Sequence, residues 1–320
     1  MHVNMAYDPD KISQRTGNPL RRGTNTNKGN KFNGKLLSIA FVIFILVLVV
    51  LLVVTNLPKD NNINGNVEPT ATPTPTPEPT VNPIITIDEP PVTEGGHFFE
   101  KSPKIDGQQA YIAYPTQIKR DAPPTIIIYS HGSITTITTD FTDDFMKDMR
   151  EYGDFFTKNG YIFAASAMHG ENWGSQASVN DMSSLIKWIA DKYPANGKVN
   201  LVAHSMGGLP TIKFGMQNPD RVNKMALLAP TSYPTTYKKA DIEKLFPVEI
   251  KIWHGDKDVN VPWSISNQFV NVSKNAGKTI TFITLKGKTH WDVDTELKQE
   301  ILDFYNEGTI ETSPVGTATP

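Results

Sequence analysis

The residues with the clearest chemical potential are Ala203-His204-Ser205-Met206-Gly207-Gly208. They follow a short apolar run, Val199–Ala203, and precede an amphipathic segment that begins at Leu209. Ser205 therefore falls in a strand-to-helix turn. Such a turn pushes a serine hydroxyl out at the end of the strand, provided that the residues two before and two after it are small. Ala203 and Gly207 meet that requirement. The N-terminus of the following helix adds free N–H groups and the positive end of its dipole, where negative charge on a substrate oxygen would develop. A hydroxyl so placed becomes a nucleophile if a base stands beside it.

Serines in such turns are common, so the partners decide. His254-Gly255-Asp256-Lys257-Asp258 ends a second apolar run and offers two aspartates. One histidine follows them, His290, just beyond the run Thr279–Leu285. A histidine can accept the serine's proton, and an aspartate can hold that histidine in the required tautomer. The Gly-x-x-Asp spacing from Gly255 favours Asp258, leaving Asp256 to cap or brace the turn. His131-Gly132-Ser133 follows the run Thr125–Ser130. The amides of Ser133 and Met206 are the expected donors to an oxyanion, with Gly132 permitting close approach. His97, His169, His204 and His254 lack metal-ligand spacing and are expected to be structural, so no metal or other cofactor is anticipated.

The elements that would position these residues alternate along the chain. Two early strands are expected near His97–Lys101 and Gln109–Tyr114. Buried strands follow at Thr125–Ser130, Tyr161–Ala167, Val199–Ala203, Met225–Ala229, Glu249–His254 and Thr279–Leu285. Between them lie amphipathic helices near Phe141–Asn159, Val179–Tyr193, Leu209–Asn218, Trp263–Asn275 and Asp294–Asn306. Strands buried on both faces and separated by helices imply an α/β fold with a mostly parallel sheet flanked by helices.

From about Thr125 to Tyr305 the chain resembles the α/β-hydrolase family, particularly its small esterase- and lipase-like members. The resemblance rests on His131-Gly132, the segment around Ser205, Gly255-Asp256-Lys257-Asp258 with Val261-Pro262, and His290. Met168 to Ser175 is similar to the family's loop after its fourth strand but lacks the usual aspartate and arginine. The resemblance implies a Ser205–Asp258–His290 triad in the family's order and ester cleavage through an acyl-enzyme. A peptidase or amidase of the same fold is the alternative; a non-catalytic surface binding module is a more distant one. Thr231 to Pro247 is short for a lid, which implies an open cleft that Trp173, Tyr233, Tyr237 and Trp291 are placed to line.

Outside residues 85–307, expected to be the catalytic domain, the composition changes. Residues 1–35 carry seven lysines and arginines against Asp8 and Asp10 and have no apolar periodicity, the mark of a disordered segment. Residues 36–57 are almost uniformly apolar and as a helix would span roughly 33 Å, enough to cross a bilayer. No small-residue cleavage pattern follows, so an uncleaved anchor is expected. The cationic flank places the N-terminus in the cytoplasm and the catalytic domain outside the cell membrane. Residues 58–84 are rich in Pro, Thr and Asn and read as an extended stalk, and residues 308–320 as a disordered tail. The chain has no cysteine and a net charge of −2. These exclude thiol chemistry and give no field that favours nucleic acid; the anticipated partners are an ester substrate, small or polymer-borne, and the bilayer.

Overall fold

The run Ile126-Ile127-Ile128-Tyr129 shows how the sheet is built. Ile126 and Ile128 enter one buried cluster, Ile127 and Tyr129 another, so successive side chains feed opposite faces of one strand. The computed structural model describes residues 84–308 except 94. The expectations for residues 1–35, 36–57 and 309–320, and for nearly all of 58–84, lie outside the described residues. Among the described residues no helix is long and apolar enough to cross a membrane.

The strands are β1 (Ile84–Thr86), β2 (Phe98–Lys101), β3 (Lys104–Ile105), β4 (Gln108–Pro115), β5 (Gln117–Lys119), β6 (Ile126–Ser130), β7 (Ile162–Ser166), β8 (Val199–His204), β9 (Val222–Leu228), β10 (Glu249–Gly255) and β11 (Thr281–Leu285). The main sheet runs in the order β11-β10-β9-β8-β6-β7-β4-β2, with β3 beside β4. From β11 to β7 all pairings are parallel; β4 and β2 add an antiparallel edge. β1 and β5 form a separate antiparallel ribbon.

The helices are α1 (Asp144–Lys158), α2 (Gln176–Lys192), α3 (Gly208–Gln217), α4 (Lys239–Glu243), α5 (Trp263–Asn275) and α6 (Lys298–Asn306). The two longest start on side-chain caps. The Asp143 carboxylate accepts from the Met146 amide to cap α1, and Ser175 Oγ accepts from the Ser178 amide to cap α2. α1 then buries Met146, Met149, Tyr152 and Phe156, spaced at three and four residues, and joins α6 on one face. α2, α3 and α5 cover the other face.

One expectation needs correction. Thr279–Leu285 was expected to be a buried strand, yet β11 is the sheet's last strand, with Ile283 36% exposed. Among the described residues it pairs with β10 alone. The short segment after β9 is not wholly irregular. It contains α4, and Ile242 and Leu245 bury completely beneath it. Tyr237 packs against Phe269 of α5 rather than standing in a cleft (ring centroids 5.6 Å apart).

Candidate active site

Ser205 directly follows the central strand β8 and has a left-handed backbone, φ 55°. That conformation is unusual for a residue with a side chain and is held from several sides. The Ser205 carbonyl accepts from the Thr231 amide at 2.7 Å. A methyl group on Gly207 would run into the Ser130 carbonyl at the end of β6, and one on Gly208 would come within 2.7 Å of Pro230 Cβ and the Thr231 carbonyl. The small residues after the serine are therefore required by the backbones that crowd the turn.

Ser205 Oγ lies 2.9 Å from His290 Nε2, and His290 Nδ1 lies 2.7 Å from Asp258 Oδ2. The structure thus brings together three residues separated by up to 85 positions. All three are buried: Ser205 is 9% exposed, Asp258 8% and His290 2%. The order of contacts leaves Nδ1–H donating to the carboxylate and Nε2 free to accept from the hydroxyl.

Asp258 follows β10 in a tight turn. Its Oδ1 accepts from the amides of Asn260 (2.9 Å) and Val261 (2.8 Å). Burial alone would raise its pKa; the hydrogen bonds from His254 and His290, the charge of His290 and the Val261 amide outweigh that and hold the carboxyl well below the usual range. Asp256, the other aspartate of the turn, is exposed and does different work. It accepts from the Gly287 amide at 2.7 Å and so ties the acid's loop to the loop leading to His290. The two loops also join through Lys257 N–H and the Lys288 carbonyl (3.0 Å), with Gly255 so near Lys288 that a methyl there would strike the carbonyl.

His290 opens a 3-10 turn, His290–Asp292, capped by Thr289. Four residues on, Asp294 accepts from two buried tyrosines, Tyr129 of β6 (2.9 Å) and Tyr152 of α1 (2.8 Å). The His204 ring lies tilted against that of His290 (ring centroids 4.7 Å apart, 39°), and its Nε2–H donates to the His290 carbonyl at 3.1 Å. Burial lowers the His204 pKa, which disfavours a second charge beside His290. His254, fully buried, reaches Asp258 Oδ2 at 3.1 Å. Both histidines were expected to be merely structural; the structure places both against the site. The adjacency of His204 to Ser205 and the i−4 spacing of His254 from Asp258 were the available signals.

The residues expected to supply the oxyanion amides lie in the turns that follow β6 and β8. Gly132 abuts Ser205, since a Cβ on it would sit 3.5 Å from Ser205 Cβ. That is ordinary contact, so glycine is not obligatory there for steric reasons. Met206, fully buried, is the residue directly after Ser205 and opens the helical turn, where main-chain N–H groups have no intrahelical acceptor. His131 lies with its ring nitrogens 2.7 Å from the Gly132 carbonyl and 2.9 Å from the Ala167 carbonyl, linking this loop to the one after β7.

That neighbouring loop lacks the aspartate and arginine of the family pattern and is braced in other ways. Met168, His169 and Gly170 are successively left-handed (φ 46°, 61° and 62°). His169 Nδ1 meets Asp181 Oδ2 at 2.7 Å, and the Gly174 amide donates to Asn172 Oδ1 at 3.0 Å. Seven large apolar side chains are exposed among the described residues, and four of them stand on the loops that build this site: Ile134, Trp173, Val259 and Trp291. Trp291 sets its ring edge-on to His290 (5.1 Å, 86°). Among the described residues no group of three or more His, Asp or Glu side chains is placed to hold a metal ion.

Residues 164–252 match a family model described as serine aminopeptidase, S33. The match spans β7 to β10 and includes Ser205, but ends before Asp258 and His290. A search of curated proteins finds no match. Among solved structures, one described as a CIB-like hydrolase from Thermoplasma acidophilum is 18% identical, covers 66% of this chain and 98% of its own, and has a TM-score of 0.51. One described as a dienelactone hydrolase from Klebsiella pneumoniae is 15% identical over 71% of this chain and 98% of its own, TM-score 0.51. One described as a dipeptidyl aminopeptidase IV from Bacteroides ovatus is 14% identical over 66% of this chain but only 35% of its own, TM-score 0.55. At these identities the likeness is one of fold.

Proposed function

We propose that this chain, which has the α/β-hydrolase fold, is a serine hydrolase that cleaves carboxylic esters. The observation that carries the proposal is the continuous contact from Ser205 Oγ through His290 to Asp258, at 2.9 and 2.7 Å. His290 Nε2 takes the Ser205 proton as Oγ attacks the ester carbonyl. The amides of Met206 and Ser133 hold the resulting oxyanion, and Asp258 stabilises the imidazolium. The imidazolium gives its proton to the leaving alcohol, and water repeats the sequence on the acyl-enzyme.

Ser205→Ala should abolish turnover and labelling by a fluorophosphonate probe while leaving the fold intact, a loss of several orders of magnitude. Labelling that persists in that variant would remove Ser205 as the nucleophile.

The family description and the Bacteroides ovatus neighbour favour a second reading, an aminopeptidase on the same triad. The apolar residues on the site loops favour a neutral substrate with apolar flanks over a charged peptide terminus. A panel of p-nitrophenyl esters of increasing acyl length, set against aminoacyl p-nitroanilides, decides between them; faster turnover of the anilides would establish the peptidase.

The domain is also proposed to work outside the cell membrane, held by residues 36–57 as a single-pass anchor. The support lies in the sequence: the uniform apolarity of that stretch and the cationic residues before it. Protease added to intact spheroplasts should release an active soluble fragment. Protection until lysis would invert the topology.

A further inference from the structure

Asp258 Oδ2 is approached by two imidazoles. One is His290 at 2.7 Å; the other is His254 at 3.1 Å. His254 Nε2 also lies 2.8 Å from the Val261 carbonyl. Neither a carboxylate nor a carbonyl can donate, so this nitrogen carries the proton and shares it between the two. On the ring's far side, Nδ1 lies 2.8 Å from Ser266 Oγ of α5, whose hydroxyl can donate to it. The ring is fully buried and occupied at both ends. Both polar ends of a fully buried imidazole are engaged, and one engages the very oxygen that His290 uses.

We infer that His254 is a positioning residue of the site: anchored by Ser266, it holds Asp258 Oδ2 in line with His290 Nδ1. The inference rests on the triad proposed above. The two amides on Oδ1 fix one carboxylate oxygen, but a group held there alone can still pivot about that end. A second donor on Oδ2, coming from the strand that carries the turn, removes the pivot. His254 is placed to do so because β10 ends at Gly255 and the chain turns back, bringing Asp258 over the ring four residues earlier. His254 touches no reacting atom; it acts through Asp258.

The test uses the full-length chain with p-nitrophenyl acetate, with rates normalised to serines titrated by the fluorophosphonate. His254→Phe keeps the bulk and removes both polar ends. It should lower kcat by about 10- to 100-fold with KM within about twofold, the scale expected when a catalytic group loses its alignment. His254→Gln, which can present an N–H near the Nε2 position, should recover most of the loss. The low-field proton resonance of the His290 Nδ1–H should broaden or vanish in the first variant and persist in the second. Unchanged kcat and resonance in a folded His254→Phe, or a Gln variant no better than the Phe one, would reduce His254 to core filling. Should His254→Phe fail to fold, Ser266→Ala carries the same test. It frees the ring and should cost about three- to tenfold in kcat, with a broadened resonance; no change in either overturns the inference. If the wild-type chain is not labelled at Ser205, the proposed function fails instead, and the resonance still reports on the Asp258–His254 geometry.

Discussion

Replacing Asp258 by asparagine separates a charge requirement from a shape requirement at one position. The new amide oxygen must take the place of Oδ1, because the Asn260 and Val261 amides point there at 2.9 and 2.8 Å. The NH2 group then faces His290 Nδ1 and His254 Nε2, both of which bear protons in the wild type. Donors would meet donors, so His290 is driven to carry its proton on Nε2, facing Ser205. An imidazole in that tautomer cannot accept the serine's proton. The corresponding substitution in serine proteases costs about 10⁴ in kcat. At about 1.36 kcal/mol per decade that is roughly 5.5 kcal/mol of transition-state stabilisation. Asp256→Asn is the matched control. Its carboxylate accepts one amide, from Gly287 at 2.7 Å, and an asparagine oxygen can do the same, so the loss should stay below about tenfold. Ester hydrolysis at pH 7.5, normalised to titrated serines, measures both. If Asp256→Asn silences the enzyme and Asp258→Asn does not, the acid is misassigned. If both stay active, the acid comes from another loop and the tautomer argument fails.

Gly207→Ala should destabilise the fold by on the order of 3 kcal/mol in urea titration, because the obstructing Ser130 atoms belong to the backbone of a central strand and cannot step aside; a stable, active variant would mean that the turn is looser than its geometry implies. Asp148 has its pKa raised to about 6 by burial and then by Asp294, Glu151, Glu296 and Asp144. Its folded form holds a proton that the unfolded chain releases near the ordinary carboxylate range, so its ionisation costs stability as pH rises from about 4 through 6. Asp148→Asn should therefore raise the melting temperature by a few degrees at pH 7.5 and leave it unchanged at pH 4, as scanning calorimetry can show; equal shifts at both pH values would exclude a titration effect.

The parallel core was legible because its strands are apolar on both faces, a pattern that short helices cannot share with the same turn signals at each end. The position of a strand within the sheet was not. Thr281-Phe282-Ile283-Thr284-Leu285 has the branched composition of a central strand, yet among the described residues no strand lies beyond it, which makes it an edge. The ribbon of β1 with β5 was also invisible, since three residues are too few to display a period. Asp258 could be favoured over Asp256 from spacing, because a turn that begins at Gly255 presents its fourth residue back towards the strand end. The nearness of His204 to Ser205 and of His254 to Asp258 was legible in the sequence; their hydrogen bonds within the site were not, since these depend on how α5 and the His290 loop fold over them.

The remaining question is why residues so far apart in sequence meet to within hydrogen-bond distance, and the answer lies in where backbones touch. Three loops carry the site, and each is fixed by a contact that leaves no room for a methyl group. Gly207 lies against the Ser130 carbonyl, Gly208 against Pro230 and Thr231, and Gly255 against the Lys288 carbonyl. Backbone-to-backbone contacts of this kind lack the rotamer freedom that lets side chains yield. The strained φ of Ser205 and of Ala229 (41°) can persist within such a frame, since relaxing either would drive main-chain atoms together. Asp294 extends the frame beyond the loops by fastening the segment after His290 to Tyr129 on β6 and Tyr152 on α1. The base is thereby referred to β6, the strand that leads into the His131–Ser133 loop, and the acid to β10, the strand that holds His254. If the three residues act as the proposed triad, a set held between two such references needs no rearrangement to align when substrate arrives, which is the condition under which fixed dipoles accelerate a reaction most.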